Sequence, residues 1–188
     1  MPKPASLKPP PSIAVHLFPP ATALFVILFL SGCATPQESQ HTHEERTTRL
    51  ALTIHALCPK ASKKETQLIA RTATETSAAL RQSYKISLNH NLHNLQVFWG
   101  LKQRGLCWHW QEDLESALTN TPQKQFEFKR VCANAGSTWF EHHALVVNAK
   151  GAPWKDGVVL DPWRQEGVLW FGPVTADHHP WQEETAEK

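Results

Sequence analysis

The hydrophobic period of this chain changes once along its length, and that change constrains the fold more than any other feature. Up to Leu118, apolar residues recur at spacings of three and four. Leu50, Ile54 and Leu57 form one such set, Leu68, Ile69, Ala73 and Leu80 a second, and Leu92, Leu95 and Trp99 a third; Leu106, Trp110, Leu114 and Leu118 complete the series. Each set places its members on one face of a helix. The spacing predicts helices over 45–57, from Ser62 to about Tyr84, over 91–104, and from near Cys107. Pro59 stops the first, Ser62 and Glu65 match a capping box for the second, and Gly105 stands where the third needs a left-handed residue. Beyond residue 125 the pattern alternates (125–133 and 138–148) or shortens into apolar runs bounded by Gly and Pro (157–161 and 168–171), as strands do. Helices first and strands after, with short connections, predict an α+β fold with N-terminal helices packed on an antiparallel sheet.

The first 32 residues do not fit that scheme. They hold Lys3 and Lys8, no acidic residue, and seven of the fourteen prolines. Their apolar run, Ala21 to Leu30, is half of the about 20 residues that a bilayer span needs, so it reads as a signal-peptide core. Leu30-Ser31-Gly32-Cys33 follows. This resembles the lipobox of bacterial lipoproteins: a branched apolar residue, two small residues and a cysteine. The resemblance implies cleavage before Cys33, lipidation of Cys33, and anchoring to a membrane through the lipid; Ala34 implies the outer membrane of the cell envelope, facing the periplasm. Several fatty chains give stable anchoring where one is marginal. Residues 1–32 are thus expected to be a signal peptide, 33–44 (polar, without apolar period) a lipidated tether, and 45–188 the folded domain.

Charge and cysteine counts change meaning at that boundary. The chain carries 19 Lys plus Arg against 17 Asp plus Glu. Without Lys3 and Lys8 the two are equal, which argues against a broad phosphate-binding face; no phosphate loop, dinucleotide motif or nucleic-acid module is present, and no cofactor or nucleic-acid partner is expected. Of four cysteines, Cys58, Cys107 and Cys132 remain after Cys33. Three thiols in a compartment that permits disulfides cannot all pair within the chain. Cys58 and Cys132 are the candidates for a disulfide that would leave Cys107 free.

Three stretches carry chemistry: Gly105-Leu106-Cys107-Trp108-His109-Trp110, His142-His143-Ala144-Leu145-Val146, and Val159-Leu160-Asp161-Pro162. The first places a thiol in the first turn of a helix, where free N–H groups and the helix dipole favour thiolate. The second places histidines in an apolar strand. The third ends a strand on a carboxylate. Thiol nucleophile, imidazole base and orienting carboxylate together make a triad. Strand alternation puts His142 and His143 on opposite faces, and parity alone does not choose between them.

In order and in secondary structure, these stretches resemble the transglutaminase-like branch of the papain-like superfamily, over about residues 90–165. Gly105-Leu106-Cys107 is similar to the family's nucleophile turn, His143-Ala144-Leu145-Val146 to its histidine strand, and Asp161-Pro162 to its aspartate. Thirty-six residues separate Cys107 from His143, and 18 separate His143 from Asp161. The resemblance implies a transglutaminase-like core and a catalytic set of Cys107, His143 and Asp161. It also implies a thiol enzyme that hydrolyses or transfers the acyl group of a peptide or protein substrate in the envelope. A non-catalytic envelope lipoprotein that uses the fold for binding or assembly is the alternative. The Cys107 backbone N–H is the natural oxyanion donor, with Gln103 or Trp99 as candidates for a second. Zinc on Cys107, His109, His142 and His143 is disfavoured, because Cys-x-His is an unusual ligand pair and consecutive strand histidines diverge, so no metal is expected. His41, His43, His178 and His179 lie in polar flanks and are expected to be solvated. All eight tryptophans fall between Trp99 and Trp181.

Overall fold

A computed structural model describes residues 40–86, 90–137 and 140–184. The expected signal peptide, Cys33 and most of the expected tether lie outside the described residues. Among the described residues four α-helices come first: α1 (Gln40–Leu57), α2 (Lys63–Ser83), α3 (His90–Phe98) and α4 (Cys107–Thr119). Five strands follow: β1 (Phe126–Ala133), β2 (His142–Ala149), β3 (Val158–Asp161), β4 (Trp170–Pro173) and β5 (Trp181–Glu183). The strands form one antiparallel sheet in the order β4-β3-β2-β1-β5. The molecule is α+β, as the change of period predicts. No helix among the described residues is long and apolar enough to cross a membrane.

Both faces of the sheet are covered, which is why β2 reads as a nearly unbroken apolar run. On one face Leu145, Val147, Val158 and Leu160 pack with Leu50 and Ile54 of α1, Ile69 and Ala73 of α2, and Leu114 and Leu118 of α4. On the other, Ala144, Val146, Val159, Val131 and Ala133 are covered by Val174 and Trp181, with Trp154 and Trp170 against them. The second layer there is tryptophan-rich: Trp154 and Val174 come from short 3₁₀ turns, Trp170 from β4 and Trp181 from β5. Each fully buried aliphatic side chain contributes about 1.5–3 kcal/mol.

Local signals are used, with one change of role. Ser62 caps α2, accepting at Oγ from the Glu65 N–H (3.1 Å). The Glu65 carboxylate does not close a capping box. Its Oε1 instead accepts from the N–H groups of Lys124 (2.7 Å) and Gln125 (2.8 Å), tying α2 to the entry of β1. Helix α1 starts at Gln40, so residues 40–44, expected in the tether, are helical. Helix α3 is shorter than its spacing predicts: it ends at Phe98, and Gly100 (φ +71°) takes the left-handed position expected of Gly105. Strand β5, whose run of three is too short for periodicity to reveal, had no sequence signal.

Candidate functional site

Cys107 is the first residue of α4, so its backbone N–H is among those that a helix leaves without an intrahelical partner. The turn before it is held from three sides. Trp110 donates its indole Nε1 to the Gly105 carbonyl (2.9 Å). His109 folds back, its Nδ1 accepting from the N–H groups of Gly105 and Leu106 (3.2 Å each). His93 of α3 packs directly on Gly105 and bonds the Arg104 carbonyl through Nε2 (2.9 Å); a Cβ at position 105 would lie 2.0 Å from that nitrogen. His109 is therefore a capping residue, not a ligand or base.

The carboxylate and imidazole come from the sheet. Asp161, at the end of β3, is fully buried and accepts at Oδ2 from His142 Nε2 (2.7 Å). Strand register explains why the partner is His142. Val159 pairs with Val146, so Asp161, two residues on from Val159, projects on the face of Val146, Ala144 and His142. The expected choice of His143 is corrected here: it projects on the other face, away from Asp161. Resemblance to a His-Ala pair pointed to the histidine that does not meet Asp161, and only the β2–β3 register distinguishes the two.

Burial pulls the pKa of His142 down, but the charge and hydrogen bond of Asp161, then the hydrogen bond and charge of Cys107, outweigh it and raise the pKa to about 9. The approach of the thiol is loose: His142 Nδ1 is buried without a partner in ordinary hydrogen-bond geometry. Such contacts commonly tighten only when substrate is bound. Trp163, Trp181 and His179 wall the ring at centroid distances of 4.8, 5.4 and 5.0 Å. His179 is therefore half-buried against the site, not simply solvated. Burial, with the charges of His142 and Arg164, drives its pKa down to about 4. His178 is exposed as expected.

Behind Asp161 stands a second ion pair that the sequence reading missed. Arg164 donates Nε to Asp161 Oδ2 (2.9 Å) and its backbone N–H to Oδ1 (3.0 Å). Its guanidinium grips Asp177 at 3.2 and 2.8 Å and lies 3.7 Å over the Trp170 ring. Trp181 Nε1 also donates to Asp177 (3.0 Å). Arg164, three residues after Asp161, is separated from it by Pro162-Trp163, and nothing in that short string announces the contact.

His143 has its own surroundings. Nδ1 meets Glu184 Oε1 (2.8 Å) and Nε2 meets Glu141 Oε1 (3.0 Å), with Cys132 Sγ 3.9 Å from Nε2. Burial lowers its pKa, but Glu184 and Glu141 override that and hold it at about 8. Cys132 does not pair with Cys58. Both thiols are free, as is Cys107, and no disulfide joins them. The reason is placement: Cys58 follows α1 in the helical core, whereas Cys132 stands opposite His143 in the β1–β2 register. Burial first, then Glu141, Glu184 and Cys107, push the Cys132 thiol up to about 11.

A cleft of about 480 Å³ opens at Cys107, lined by Leu95, Phe98 and Trp108 together with Ser137, Glu141 and His143. Phe98 and Trp108 are exposed. Neither Gln103 nor Trp99, the expected second oxyanion donors, lines this cleft; Asn94 does.

Comparison with known protein families, with characterised proteins and with solved structures finds no match.

Proposed function

We propose that this protein is a thiol enzyme of transglutaminase-like character, acting on a peptide or amide carbonyl with Cys107, His142 and Asp161. The observation that carries the reading is the buried Asp161–His142 pair with the second ring nitrogen of His142 left unpaired on the side of the Cys107 thiol. A structural salt bridge has no need to keep a buried nitrogen unpaired beside a thiol; a proton acceptor does.

In this reading Cys107 gives its proton to His142 Nδ1, and the sulfur attacks the carbonyl carbon. The oxyanion that forms is held by the Cys107 N–H at the start of α4. His142 then protonates the leaving amine, so that a thioester remains. Water or a second amine attacks the thioester, with His142 taking the attacking proton, and the thiol is restored. Asp161 keeps the imidazole in one orientation and stabilises its cationic form. The apolar wall of Leu95, Phe98 and Trp108 supports an extended substrate with apolar side chains next to the scissile bond. The lipid anchor implied at Cys33 would place this chemistry at the envelope membrane.

The test is the alkylation rate of Cys107 by iodoacetamide at about pH 6. Cys107 is expected to react at least about tenfold faster than free cysteine, because in the proposed chemistry His142 takes the thiol proton as the sulfur attacks. Labelling no faster than free cysteine would overturn the reading.

A further inference from the structure

A second group of ligand-type side chains lies on the opposite face of β2 from the Asp161–His142 pair, and the chemistry proposed above does not use it. Cys132 Sγ, a ring nitrogen of His143 and a carboxylate oxygen of Glu184 all lie within 4.8 Å of one another. Three different strands or strand ends deliver them: Cys132 from β1, His143 from β2, and Glu184 immediately after β5. Cys132 and His143 are directly opposite in the β1–β2 register, so their side chains share one face.

We infer that Cys132, His143 and Glu184 form a zinc-binding site, with the fourth coordination position on the cleft side, where Glu141 Oε1 lies 3.0 Å from the His143 ring. One thiolate, one imidazole and one carboxylate are the donors zinc takes, and three protein ligands with one position left over is an ordinary zinc arrangement. On tetrahedral zinc, neighbouring ligand atoms stand about 3.5 Å apart, so the donors need to move by only about an ångström. Coordination replaces the Cys132 S–H bond by a zinc–sulfur bond and sends the proton to solvent.

Two further features favour a metal over an accidental cluster. Glu184 is already oriented by a buried side chain: Gln111 Nε2 donates to its Oε1 (3.0 Å) and is itself fixed on the Val131 (3.1 Å) and Ala144 (2.7 Å) carbonyls. A buried amide that aims a carboxylate is the outer-sphere support that metal ligands characteristically receive. Cys132 is also buried, with its Sγ 3.9 Å from the His143 ring, so that the sulfur donor is already withdrawn from bulk water beside a second donor. This set differs from the one that the sequence suggested and rejected. His109 is spent on capping α4, and His142 on Asp161.

The inference does not rest on the proposed activity of Cys107. Its test is a titration of the full chain, stripped with chelator, with zinc chloride alone against a chromophoric competitor, together with cobalt(II) absorption. One equivalent of zinc is expected with a Kd below about 1 μM. Cys132→Ser and Glu184→Gln should each weaken binding by at least about tenfold, and Cys132→Ser should abolish the thiolate-to-cobalt charge-transfer band. Cys107→Ser should keep both binding and band. Circular dichroism of each variant shows whether it has folded, and Glu184→Gln, which keeps the shape of the side chain, serves if Cys132→Ser does not. Zinc bound only more weakly than about 10 μM overturns the site. So does loss of the band in Cys107→Ser with retention in Cys132→Ser, which would put the metal on the other thiol.

Discussion

Asp161 serves His142 and Arg164 at once, and both partners are withdrawn from water. With His142 protonated, the buried row His142–Asp161–Arg164–Asp177 alternates in sign and sums to zero. Removing one member leaves an unmatched buried charge, which typically costs about 3–5 kcal/mol. Arg164→Met is therefore expected to lower stability by about that amount, read from the urea midpoint, although Arg164 touches neither His142 nor the thiol in the proposed chemistry. A change under about 1 kcal/mol would mean that the row is solvated. At the site itself, His142→Ala is expected to slow Cys107 alkylation at neutral pH by about 100-fold or more, the usual scale for a lost general base. The loss should exceed that for His143→Ala. The reverse order would return the base to His143.

Elements act on the site through their junctions. Helix α3 contributes little to the core; its buried residue is His93, which presses on Gly105 two residues before Cys107. Gly105 has φ +128°, so Gly105→Ala meets both an unfavourable backbone and the His93 ring. Destabilisation by more than about 1 kcal/mol is expected, with slower Cys107 alkylation as the helix start shifts. Wild-type stability and reactivity in that variant would show that the turn is pliable. Ser62→Ala, by contrast, should cost about 1 kcal/mol through loss of the α2 cap and leave the reactivity of Cys107 unchanged. Measuring both quantities on both variants separates the turn that positions Cys107 from ordinary helix capping.

The same elements show what a sequence discloses. Helix α2 was legible because Ser62, Glu65 and the apolar positions agree. Cys107 was legible because a glycine turn and a helix start coincide there, and Asp161 because Pro162 ends its strand. The identity of the histidine was not, since His142 and His143 differ only in face, and a face acquires meaning only through β2–β3 pairing. Asp177 and Glu184 were invisible because each owes its role to a partner distant in sequence, and Arg164 because nothing in the string 161–164 marks its contact with Asp161. The long α3 expected over 91–104 fails because Phe98, Trp99 and Leu101 remain exposed, so helical spacing there has no core to face.

For the whole molecule, acid is the condition that tests the buried row. Burial raises the carboxyl pKa values of Asp161 and Asp177, but paired cations outweigh it and hold both below the ordinary aspartate value. Their contribution to stability is complete above about pH 4, the ordinary unfolded value, and is lost as pH falls through the lower folded values. The paired carboxylates should therefore make urea midpoints fall steeply below about pH 4. A midpoint unchanged down to pH 2 would show that neither carboxylate is paired in solution.

The thiol comes from the helical part of the domain, and its imidazole and carboxylate from the strands. The proposed chemistry needs all three together, and they meet only when those parts dock, so an unfolded or newly made chain would carry a cysteine no more reactive than any other. Under that proposal reactivity is acquired with the tertiary structure, and the chain would be spared attack on itself while its own peptide bonds lie open.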